Sequence, residues 1–110
     1  MAAAEWRSGL TADEIPTAEV IARAVVTAAR VMGEDPEDID PVRGVTTPKA
    51  VKVAFHVLRE FYPLYPGTRL GLAMGMGHAA MQTVAGARRL PWWSARRDAF
   101  AAVADVLEAA

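Results

Sequence analysis

Apolar positions recur along this chain at every third or fourth residue, which is the period of an α-helix. Val20, Ile21, Ala24, Val25, Ala28 and Val31 make one stripe. The spacing predicts a helix capped by Thr17, running to about Met32 and stopped by Gly33. Val51, Ala54, Phe55, Leu58 and Phe61 make a stronger stripe, on a helix that opens at Thr47-Pro48 and ends at about Tyr62, before Pro63. A shorter pattern follows, with Leu70 and Ala73 inward on a helix from Thr68 to Met74. Met81 and Val84 are inward on a second helix from His78 to about Leu90. Finally, Phe100, Val103, Val106 and Leu107 mark a helix from Ala95 to about Glu108, capped by Ser94. Few β-branched residues alternate and no Asn-Gly turn occurs, so the fold class expected is all-α, a small helical domain.

The stretches between these helices carry their own signals. Residues 1–10 have no period, although Trp6 can dock on a core, and Thr11-Ala12-Asp13-Glu14 fits a capping box for a short turn before Pro16. Residues 1–16 are therefore expected as an N-terminal arm and 17–110 as one helical domain. Asp35-Pro36-Glu37-Asp38-Ile39 combines a cap, a first-turn proline and acids at a helix start, and predicts one further turn. Residues 40–46 read as a loop. Tyr62-Pro63-Leu64-Tyr65-Pro66-Gly67 reads as a loop whose tyrosines cover a core edge, and Trp92-Trp93 as a packing lid. His56 is expected to be solvated or hydrogen-bonded, without a functional part.

The stretch Gly71-Leu72-Ala73-Met74-Gly75-Met76-Gly77-His78 joins two helices through a tight turn. Gly75 and Gly77 bracket it, where the backbone calls for positive φ or close approach, and Gly71 would let the first helix approach a neighbour. Such a helix–turn–helix is a candidate major-groove reader. The same pattern also fits an αα-hairpin within a bundle that has no partner.

Charge sharpens the choice. The formal net charge of the 110 residues is only −1. Yet residues 1–40 hold nine acids against three arginines, and residues 41–97 hold nine bases against Glu60 alone. That asymmetry suggests a basic face for a polyanion, although acidic and basic parts attracting one another would give it too. The absence of cysteine removes disulfides, thiolate metal sites and cysteine nucleophiles. His56 and His78 have no ligand spacing, and no Ser/His/Asp set has motif context, so neither a metal, a cofactor nor an enzymatic activity is expected. No apolar run is long enough for a membrane span. Met1-Ala2-Ala3-Ala4-Glu5 lacks the basic start of a signal peptide, and a cytoplasmic location is expected.

Several pieces in order resemble the C-terminal DNA-binding domain of the bacterial replication initiator DnaA. Ala29-Arg30-Val31-Met32 with Glu37-Asp38-Ile39 is similar to that family's first helix and its Glu-Asp-Leu turn. Pro48-Lys49-Ala50, Ala54 and Leu58-Arg59-Glu60 look like its Pro-Arg-Gln…Ala…Leu-Arg-Glu helix. Leu70-Gly71…Gly75 resembles its Ile-Gly…Gly segment, and Gly77-His78-Ala79-Ala80-Met81 stands where the family has Asp-His-Thr-Thr-Val. The likeness covers about residues 17–90 and implies a Trp-repressor-like helical fold. It also implies a minor-groove contact for Lys49 and base reading by His78, Ala79 and Ala80. The motif's aspartate is Gly77 here and both threonines are alanines. The family's basic run is reduced to Arg43, and its Arg-Lys pair falls later, at Arg88-Arg89. The initiator's own DNA box is therefore not the expected target. No phosphate-binding Gly-Lys-Ser/Thr loop is present, so the resemblance is to DnaA-like regulators without a motor, such as gene-transfer-agent activators.

The expected function is a DNA-binding transcriptional regulator of double-stranded DNA, with RNA polymerase or another regulator as a further contact. Phosphate contacts fall to Lys49, Lys52, Arg69, Arg88, Arg89, Arg96 and Arg97, with Arg43 over the minor groove. Base contacts fall to His78, Gln82 and Thr83, with Ala79 and Ala80 able only to touch thymine methyls or allow close approach. So thin a reading set implies modest sequence specificity. The alternative is a protein-interaction module that does not bind DNA, whose sign would be an exposed apolar patch instead of a basic groove.

Overall fold

A computed structural model describes residues 12–35, 49–90, 92–93 and 96–109. Among these residues the chain is all helix and turn: α1 (Ala18–Met32), α2 (Lys49–Phe61), α3 (Gly67–Ala73), α4 (His78–Ala85) and α5 (Arg97–Ala109). A single 3-10 turn, Ala12–Glu14, precedes α1, and a 3-10 stretch, Gly86–Arg89, extends α4. The expectations placed on Trp6, Thr11, Pro36 to Ile39, Arg43, Thr47-Pro48, Pro91 and Ser94 lie outside the described residues.

The helix ends follow from local chemistry. Thr17 sits in extended backbone and its Oγ1 accepts from the Val20 N–H at 3.1 Å, which closes the start of α1. Gly33, at φ 74°, ends it: the Glu34 N–H returns to the Ala29 carbonyl at 2.8 Å and the Gly33 N–H to that of Arg30 at 3.4 Å. This is a Schellman motif, which needs a left-handed residue and so favours glycine. The same motif ends α3, with Gly75 at φ 81°, Met76 N–H on the Gly71 carbonyl at 2.9 Å and Gly75 N–H on that of Leu72 at 3.0 Å. Gly77 differs from the expectation. It has ordinary negative φ, −84°, and free space around it, so it serves as a helix-start residue and nothing there demands glycine.

The start of α2 holds a contact that no local pattern announces. Glu34, just past the end of α1, accepts from the Ala50 N–H at 2.8 Å. A carboxylate sixteen residues upstream thus satisfies an orphan donor at the positive end of α2.

α2 is the centre of the molecule. α1 and α5 pack against it and against each other, and α3 and α4 pack on it from their side. Residues off its main stripe are consequently buried too: Ala50, Lys52, Val53 and Val57 join Val51, Ala54, Phe55 and Leu58. The phosphate contact expected of Lys52 is corrected, since the residue is only 8% exposed. Phe61 is the opposite case; it stands at the last turn of α2 and is exposed. Similar shifts occur elsewhere. Val31 is exposed while Ala29 is buried, and on α3 Ala73 faces out while Met74, one turn after Leu70, faces in.

Candidate nucleic-acid interface and an arginine cleft

The α3–turn–α4 pair is held by one close approach. Gly71 is buried, and a β-carbon there would fall 2.6 Å from Met81 Cγ. A side chain is therefore excluded unless Met81 moves, and the close approach expected of Gly71 is made to α4.

α4 is shorter than expected. Its α-helical part stops at Ala85, and Gly86, a poor helix former, starts a tighter 3-10 turn through Arg89. The inner face of α4 carries Ala80 and Val84, with Met81 half-buried. Ala80, assigned above to base contact, is 3% exposed and packs in the core, because it lies one turn before Val84 on the same face. Ala79 belongs to α4, but its side chain is outside the described set. The outer face carries His78 and Gln82, which bond each other at 3.1 Å between their Nε2 atoms. In this bond Gln82 Nε2 donates and His78 Nε2 accepts. Thr83 is half-buried and engaged within the chain, as is Arg69 on α3.

The cations separate into committed and free groups. Lys49 lies over the Trp92 ring, 5.2 Å from its centroid. Arg96 holds Asp98 through two bonds of 3.1 Å and donates to the Val31 carbonyl at 3.0 Å, tying the start of α5 to the end of α1. Arg23 is paired with Glu19 at 2.6 Å on α1. Lys52 is buried and is no part of a basic surface. Arg88 and Arg89 are exposed on the 3-10 turn.

Arg88 also belongs to a group that the sequence reading did not assemble. A cleft of about 640 Å³ is lined by His56, Arg59 and Glu60 of α2, Pro63 after it, Ala85 at the end of α4, Arg88 of the α4 extension, and Trp93, Arg97 and Phe100 around the start of α5. Each helix contributes residues three or four apart, His56 with Arg59 and Glu60, Ala85 with Arg88, and Arg97 with Phe100, so each turns one edge to the same space. Among the described residues, no hydrogen bond or ion pair engages the guanidinium groups of Arg59, Arg88 and Arg97.

His56 and Trp93 form the inner wall. The rings stand edge to face with centroids 4.9 Å apart, and Trp93 meets Phe100 at 4.5 Å. His56 Nε2 lies 2.8 Å from the Val84 carbonyl, which can only accept, so that nitrogen carries the proton. Burial pushes the His56 pKa down. The bond to Val84 opposes that, the charges of Arg88 and Arg59 reinforce it, and Glu60 opposes it weakly. His56 is therefore half-buried and bonded across helices, the second of the two states expected for it.

His56 and Arg59 were missed as a pair because His56 stands beside the core stripe and Arg59 reads as a solvated surface charge. Their three-residue spacing was the available signal. Among the described residues, no three His, Asp or Glu side chains are grouped to hold a metal, and no helix is long and apolar enough to cross a membrane. Comparison of the chain with protein-family models, curated proteins and solved structures gives no match.

Proposed function

We propose that this chain is a DNA-binding transcriptional regulator of the DnaA-like, Trp-repressor-like kind, with α4 as its major-groove helix and no ATPase activity. The observation that supports it best is the run of exposed groups from α4 into its extension. His78 and Gln82 stand one turn apart, and Arg88 and Arg89 follow, neither paired with a carboxylate among the described residues. Donors and acceptors on one helical edge suit base contact, and unpaired arginines beyond them suit phosphates. With Ala80 inside and Thr83 half-buried, the reading set narrows to His78 and Gln82, and the reading implies affinity carried mainly by phosphates.

Fluorescence anisotropy with a labelled duplex tests this. Binding at low salt that weakens as salt rises, and weakens again in Arg88→Ala/Arg89→Ala, supports the reading. No binding at low salt would overturn it. One observation favours a protein-docking role instead: Leu64 and Leu72 are 63% and 58% exposed. In that case Leu64→Ser/Leu72→Ser would abolish a self-association or polymerase contact that the arginine pair leaves intact.

A further inference from the structure

We infer that the cleft between α2, the α4 extension and α5 is a binding site for a nucleoside monophosphate, a phosphate monoester joined to a planar ring. Arg59, Arg88 and Arg97 converge there from three separate elements while Arg23 and Arg96 are each matched to a carboxylate. Three guanidinium groups share this space with Glu60 as the one carboxylate among the described lining residues, so their mutual repulsion is only partly offset, and a bound anion reduces it further. With Glu60 included, the lining has a formal charge of +2 when His56 is neutral. A phosphate monoester carries about −1.5 to −2 at neutral pH, a close match that a carboxylate does not reach.

The rest of the lining fits what would be attached to that phosphate. Trp93 and Phe100 offer aromatic surface for a base, as aromatic rings do in single-strand binders. Glu60 supplies an acceptor of the kind ribose hydroxyls or an exocyclic amine require. The volume of about 640 Å³ lies inside the range of ordinary small-molecule pockets, roughly 300–1,000 Å³. The inference goes beyond DNA binding and does not need it.

Calorimetric titration of the full 110-residue chain with AMP, GMP, CMP and UMP, and separately with inorganic phosphate and with adenosine, tests it. At least one monophosphate is expected to bind about tenfold or more tighter than either fragment. Arg59→Gln and Arg97→Gln should each weaken that binding by about tenfold. Both residues are exposed and have no ion pair among the described residues, so their circular-dichroism melts should match the parent. Arg23→Gln, which removes an equal charge on α1, should leave affinity unchanged. Binding of phosphate or adenosine as tight as any nucleotide would overturn the inference, as would no nucleotide binding or affinity indifferent to both cleft arginines. A parallel duplex-DNA titration separates the two readings, because either ligand can bind while the other fails.

Discussion

His56 Nε2 donates to the Val84 carbonyl across 2.8 Å and so joins the middle of α2 to the last turn of α4. The two residues are twenty-eight positions apart, and their bond positions the wall on which Trp93 rests. Two consequences follow for the energetics of this joint.

The first is a pH dependence. Burial lowers the His56 pKa beneath the ordinary histidine value, about 6.5, so the unfolded chain binds a proton that the folded chain resists. The stability contribution of neutral His56 is complete above that value and is lost as pH falls below it, towards the lowered folded-state pKa. Thermal melts between about pH 8 and pH 5 should show the midpoint falling on the acid side, with the fall reduced in His56→Gln. At neutral pH, loss of the bond in His56→Ala should cost about 1–2 kcal/mol in denaturant unfolding.

Glu34 is expected to be a stabilising residue despite its position in a connection. Its carboxylate caps α2 at Ala50, so Glu34→Ala should cost about 0.5–2 kcal/mol. Glu34→Gln keeps an acceptor and loses only the charge, and should cost less. Urea unfolding of the two variants checks the order; equal costs would show that the bond itself contributes nothing.

Gly71→Ala should destabilise the chain by about 1–3 kcal/mol, although alanine is the better helix former, because its methyl group meets the Met81 side chain. Shortening the neighbour provides the check. Gly71→Ala combined with Met81→Ala should lose less than the sum of the single variants, a coupling of about 0.5–3 kcal/mol in a double-mutant cycle.

For DNA, each phosphate contact adds roughly 0.9 to the slope of log affinity against log salt. If Arg88 and Arg89 each neutralise one phosphate, their double alanine variant should lower that slope by about 1.8. His78→Ala/Gln82→Ala should leave the slope unchanged and reduce discrimination between duplex sequences, which competition titrations measure.

The periodicity and the caps made much of the architecture legible. Thr17, Gly33 and Gly75 act within a few residues of where they stand, so the end of α1 and the turn before α4 could be read directly. The candidate site was legible in part. His78, Gln82, Arg88 and Arg89 lie exposed on α4 and its extension, whereas Lys52 and Ala80 are buried by neighbours that no local window contains. The helix expected to reach about Leu90 stops at Ala85, because Gly86 is a poor helix former.

By itself the sequence determined what is local: helical class, the stripes Ile21-Ala24-Ala28 and Val51-Ala54-Phe55-Leu58, and the turns at Gly33 and Gly75, though not that Gly77 would differ from Gly75. Only the tertiary structure decided that α2 is enclosed from several sides, that Glu34 caps a helix not its own, and that Arg59, Arg88 and Arg97 share one cleft. The reason is that periodicity and capping act over one or two turns of chain. Burial, long-range hydrogen bonds and the meeting of like charges depend on how whole helices are placed against one another.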